Sequence, residues 1–103
     1  MRGAMTMAAL ALAAGSASAS TPAAWAELQR RVERGCIQAS GLVQPRVSNM
    51  IVFDDRSGAV ALLVTGRLPQ RQAKGASTAK LCLYDRGTKR VAMEEARGWG
   101  ERP

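Results

Sequence analysis

The sequence predicts an α+β fold: an N-terminal helix packed on a four-stranded antiparallel sheet made of two β-hairpins, stapled by one disulfide. Three observations carry the prediction. Apolar residues recur at helical spacing between Trp25 and Ala39. Strand-like apolar runs then come in two pairs, each pair joined by a turn that begins with Asp. The chain has 2 cysteines, one in the helical stripe and one in the third strand.

The first 19 residues read as a signal peptide. Arg2 supplies a positive start, an apolar run follows from Ala4 to Ala14, and Ala17-Ser18-Ala19 fits the cleavage rule for signal peptidase. The expected product is a single small domain over 20–103, periplasmic or secreted. The Ala/Arg/Gly bias and the short charged start point to a Gram-negative bacterium.

Thr21 is a favourable N-cap and Pro22 a favourable first helical residue. Trp25, Leu28, Val32, Cys36 and Ala39 then form one stripe, with Glu27, Arg30, Arg31, Glu33 and Arg34 on the other sides. Glu27 and Arg31 form an i, i+4 pair in the better orientation. Gly35 costs about 1 kcal/mol relative to Ala, so the helix either bends there or runs to Ser40 with Gly41 as a left-handed cap.

The strands are expected at Val47 to Phe53, Ala59 to Thr65, Lys80 to Tyr84 and Arg90 to Ala96. Asp54 to Gly58 and Asp85 to Lys89 are the hairpin turns. The two hairpins resemble each other, each ending its first strand in an aromatic and then Asp. Recurrence of Asp-led turns is the simpler explanation, and duplication of one unit the other. Between the hairpins, Gly66 to Ala79 shows no periodicity and holds Arg67, Arg71 and Lys74 without an acid. A loop of this length is either a contact surface or a linker kept soluble by its charge. If it is a contact surface, those three cations are the candidate binding residues.

On the first strand Val47, Ile51 and Phe53 are expected to share one face, and Met50 and Val52 the other. The second strand sets Val60, Leu62 and Val64 against Leu63. Both faces of the first hairpin are therefore apolar, while one helix covers one face. Sheet twist and the segment around Trp99 are expected to cover the second; otherwise it invites self-association into a homo-oligomer.

Cys36 and Cys82 permit a single intramolecular pairing, and an even count in a small exported protein reads as a structural disulfide. Loop-closure entropy gives it a stabilisation of at most roughly 4 kcal/mol. A redox pair would show Cys-x-x-Cys, and a metal site would need more thiols or histidines. The sequence has 0 histidines, which removes Ser-His-Asp and Cys-His triads and His-ligated zinc. Asp54 and Asp55 are neighbours and read as turn formers rather than a converging carboxylate pair. Glu94 and Glu95 read as solvated. Ser77-Thr78-Ala79-Lys80 spells Ser-x-x-Lys but runs from a loop into a strand rather than opening a helix. No phosphate-cradling glycine motif occurs. No catalytic residue, metal or cofactor is therefore expected.

The net charge is +7. Nucleic-acid binders combine a basic stripe with stacking aromatics. Only Trp25, Phe53, Tyr84 and Trp99 are aromatic, with Trp25 and Phe53 expected in the core, so nucleic acid is not expected. The charge either only aids solubility or attracts an anionic partner, an acidic protein or an anionic envelope component.

Cys36-Ile-Gln-Ala-Ser-Gly-Leu, Val52-Phe53-Asp54-Asp55, the run Ala61 to Gly66 and Leu81-Cys82-Leu83-Tyr84-Asp85-Arg86 together resemble small exported proteobacterial proteins of uncharacterised function. That resemblance spans about Trp25 to Ala96 and implies an exported, disulfide-bearing domain, with no catalytic residue. The overall shape is similar to cystatin-like and small periplasmic inhibitor folds, an analogy of architecture alone. The expectation is an exported binding module, an inhibitor being one version. The alternative is a structural or accessory envelope protein acting by self-association.

Overall fold

The computed structural model describes residues 21–69 and 75–99. The 1–19 segment lies outside them. Elements follow as α1 (Pro22–Ser40), β1 (Val43–Val47), β2 (Ile51–Val52), β3 (Ala59–Arg67), β4 (Ser77–Asp85) and β5 (Val91–Glu95). By its contacts the chain divides into Met1–Arg30 and Arg31–Pro103. The second unit holds the latter part of α1, every strand and the disulfide.

In the first unit the cap forms as expected. Thr21 Oγ1 accepts a hydrogen bond from the Ala24 N–H at 3.1 Å, and Pro22 opens the helix. Glu27 accepts from Arg30 at 3.0 Å, an exposed pair of small energetic weight. Trp25 is 44% exposed, contrary to its expected core position.

In the second unit α1 continues without a break to Ser40, and Gly41 takes a φ of 66° as the left-handed cap. The buried stripe is Val32, Cys36 and Ser40 rather than one ending in Ala39, because steps of four keep residues over one another. Ser40 is polar yet buried, and its groups are matched. Its Oγ donates to the Ile37 carbonyl and accepts from the Leu42 N–H, while its carbonyl accepts from Lys80 Nζ at 3.0 Å. A cation from the sheet thus sits at the negative end of the helix.

Gly35 marks where this part of α1 meets β4 and β5. A methyl group there would lie 3.5 Å from Val91 Cγ2 and 4.0 Å from Tyr84 Cε2, ordinary contact distances. Gly35→Ala therefore gains helix propensity without a clash. It is expected to stabilise the protein by about 0.5–1 kcal/mol, read as a higher urea midpoint with an unchanged slope.

The sheet is antiparallel in the order β1-β3-β4-β5, with β2 also paired to β3. β1 and β2 lie on the same side of β3 and form one interrupted edge strand, so four strand positions are occupied. β3 and β4 form its centre, in register from Ala59↔Asp85 to Arg67↔Ser77. The inner face carries Val60, Leu62 and Val64 on β3, with Cys82 and Tyr84 on β4, all buried. Cys36 and Cys82 are bonded, and their Cα atoms are 5.9 Å apart.

The expected continuous strand from Val47 to Phe53 is instead two pieces. Val47 pairs with Val64 and Ile51 with Ala61, four steps on the edge against three on β3, so one extra residue lies between the pieces. A separate irregularity upstream, where Gln44 has a φ of 53° and Pro45 offers no N–H, shifts the register between Val43 and Arg46. Ser48 then bridges the break: its N–H donates to the Leu63 carbonyl, and its Oγ accepts from the Leu63 N–H, both at 2.9 Å. The interruption changes side-chain parity. Val47 and Val52 both face inward, opposite Val64 and Val60, while Ile51 faces outward opposite Ala61. Phe53 is 47% exposed rather than core. Tyr84 is the aromatic that the core encloses.

The other strands run longer or shorter than expected. β3 extends to Arg67 and β4 starts at Ser77, and the Leu68 N–H donates to the Ala76 carbonyl. The unpatterned 66–79 stretch is therefore strand at both ends. β5 covers Val91–Glu95.

The two hairpin turns share one geometry. Asp54 accepts at its carboxylate from the Ser57 N–H and at its carbonyl from the Gly58 N–H. Asp85 accepts at its carboxylate from the Gly87 and Thr88 N–H groups and at its carbonyl from the Lys89 N–H. In each turn the hydroxyl three residues after Asp accepts from the N–H two residues further on. The residue four after Asp is left-handed in both: Gly58 at 70° and Lys89 at 64°. A lysine there bears a steric cost that glycine does not. Lys89→Gly is expected to raise stability by about 1 kcal/mol, and calorimetry checks it through the melting temperature.

The N–H groups of Thr88 and Gly87 hold the Asp85 carboxyl below its ordinary value of 3.8. A depressed carboxyl stabilises the fold above the ordinary range, and that contribution is lost as pH falls through the folded-state value. The stability advantage of the native protein over Asp85→Asn should therefore shrink on acidification below about pH 4, as urea midpoints will report.

Arg86 ties the two turns together. Its Nη2 donates to the Phe53 and Asp54 carbonyls at 3.0 and 3.1 Å, and its backbone N–H donates to the Gly58 carbonyl at 2.8 Å. A forked guanidinium can serve two carbonyls at once where an ammonium serves as a point.

Candidate functional site

Antiparallel pairing brings Arg46, opposite Thr65, to the same sheet face as Arg67, opposite Ser77. This is the face turned away from the helix, at the sheet end next to the β3–β4 connection. A shallow open groove of about 400 Å³ lies there. Gln44, Arg46, Thr65, Arg67, Ser77 and Thr78 line it together with Gly66, so its lining holds two guanidiniums and no carboxylate.

Local backbone geometry sets this arrangement. Gln44 is held in the left-handed region, and its Oε1 accepts from Arg67 Nη2 at 3.1 Å. That bond orients one edge of the guanidinium. Gly66 lets β1 come close: a Cβ there would sit 2.9 Å from the Val43 carbonyl oxygen. The chemistry of such a groove is anion binding, by bidentate guanidinium contacts supported by the Thr65 and Ser77 hydroxyls.

Of the residues chosen from sequence, Arg67 lines the groove. Arg71 and Lys74 lie outside the described residues. Arg46 was missed, because it follows Pro45 in a stretch read as a connection. Only strand register puts it beside Arg67.

Other candidates for chemistry separate. Ser77 and Lys80 lie three residues apart on a strand, hence on opposite faces, and Lys80 is held at the Ser40 carbonyl. Asp54 is engaged by its own turn, while the exposed Asp55 carboxylate accepts from Arg86 Nη1 at 3.5 Å. A groove of about 860 Å³ beside the second turn includes Asp85, whose carboxylate is occupied by backbone N–H groups. Among the described residues, no group of three or more His, Cys, Asp or Glu is placed to hold a metal ion. No described helix is long and apolar enough to cross a membrane.

No protein-family model, curated protein or solved structure matches this chain.

The outer sheet face carries a second feature. Ile51 and Leu83 are 63% and 40% exposed. Trp99, expected to help cover this face, is itself 65% exposed. A small groove joins Trp99 to Leu81 at the β5 end. Among the described residues, the expected cover is thus incomplete.

Proposed function

We propose that this protein is an exported binding module, periplasmic or secreted, that grips anionic groups of a partner through the basic end of its sheet. The observation that carries the reading is the pair Arg46 and Arg67, set on one face with two hydroxyls and no lining carboxylate. The connection that follows Arg67 adds Arg71 and Lys74 to the same segment. Partner groups of matching chemistry are phosphates of an envelope component, or carboxylates of a protein that the module inhibits or docks on. The disulfide of a small domain is compatible with an oxidising compartment.

Replacing Arg67, Arg71 and Lys74 together by Gln tests this reading. Binding to lipopolysaccharide and to an acidic-protein column is measured at low and moderate salt. The expected result is at least about a tenfold loss of affinity and a weaker dependence on salt. Affinity unchanged by the triple substitution would overturn it. Export is tested separately, by whether the mature product starts at Ser20 and titrates no free thiol.

A further inference from the structure

We propose that a second copy of this chain covers the outer face of the sheet, stacked so that the β1 edge of each copy lies over the β5 edge of the other. This goes beyond the anion-binding reading and competes with it for Arg46, which the second copy would cover. The face is apolar across its width: Ile51 pairs with Ala61, Ala61 with Leu83 and Leu83 with Ala92, and the next row sets Leu63 beside Leu81. Ile51 and Leu83 stand 63% and 40% exposed along that first row. Four strands at about 4.8 Å and nine-residue central strands at about 3.4 Å per residue make the whole outer face, its polar rows included, a patch of about 19 by 30 Å. Two such patches face to face approach the roughly 1,000 Å² of total buried surface that a specific interface requires.

Charge selects the orientation. Arg46 stands on the β1 edge opposite Thr65, and Glu94 on the β5 edge opposite Leu81. They occupy neighbouring rows of one face. A two-fold axis running along the strands places each Arg46 edge over the partner's Glu94 edge and forms two attractive contacts. An axis running across the strands would instead stack like edges, the Arg46 edge on the partner's Arg46 edge and the Glu94 edge on the partner's Glu94 edge, without those attractive contacts. Either axis keeps the strands of both sheets aligned, as sandwiches pack, so charge alone selects between them.

Sedimentation equilibrium of the oxidised protein tests the proposal. The native protein is expected to dimerise reversibly. Leu83→Glu and Ile51→Lys, the latter at a well-exposed position, should each give monomers with unchanged circular dichroism. Arg46→Glu or Glu94→Arg alone should weaken the dimer roughly tenfold, and the double exchange should restore it. A native protein that stays monomeric at millimolar concentration overturns the proposal. So does a dimer indifferent to both apolar-face substitutions, or single charge exchanges that the double exchange fails to rescue. Arg67, Arg71 and Lys74 stay native in every one of these variants, so a failed dimer test and a failed anion-binding test are read on different proteins.

Discussion

Replacing Cys36 and Cys82 by alanine is expected to lower the unfolding free energy by about 2–4 kcal/mol. The bond spans a sequence separation of 46, so cutting it returns considerable freedom to the unfolded chain. Both residues are fully buried, so the loss is also felt in the core. Net stabilities of whole domains are only about 5–15 kcal/mol, and a chain this small sits low in that range. Urea unfolding of the native protein with and without reductant, beside the double variant, checks the prediction. Coincident transitions for all three would show that the bridge contributes nothing to the fold.

Gly66→Ala is expected to cost about 3 kcal/mol, the upper end of overpacking penalties. The new methyl group would meet the Val43 carbonyl oxygen at 2.9 Å, Leu42 Cβ at 3.0 Å and Pro45 Cα at 3.3 Å. None is the tip of a flexible side chain, so relief requires moving the β1 backbone. From strand propensity alone the same change looks favourable, since glycine weakens a strand interior. Chemical denaturation distinguishes the two expectations by sign. Because β1 also carries Arg46, the variant should disturb the groove, and anion affinity should fall along with stability.

Much of the architecture was legible in the residues. The cap at Thr21, the stripe through Val32 and Cys36, the cap at Gly41 and both Asp-led turns are local devices, and each appears where its chemistry predicts. The disulfide followed from arithmetic, since two cysteines allow one pair. The misreadings share a cause. Val47 to Phe53 looked like one strand because β-branched residues dominate it, yet one extra residue after the Ser48 bridge breaks it and reverses parity at Ile51. Phe53 and Trp25 looked like core by residue type, but whether a large side chain finds cover depends on what lies opposite it. The candidate site was half legible. Arg67 stood out in an acid-free loop, while Arg46 came into view only through pairing with Thr65.

By itself the sequence determined the element types, the order of helix and hairpins, the turn chemistry and the single possible sulfur pairing. Each depends on residues within a few positions of one another or on a count. The tertiary structure decided the strand interruption, the outward face of Ile51 and Leu83, the clasp made by Arg86 and the meeting of Arg46 with Arg67. Those depend on register between segments far apart in the chain. A shift of one residue in register reverses every face, and no local pattern encodes it.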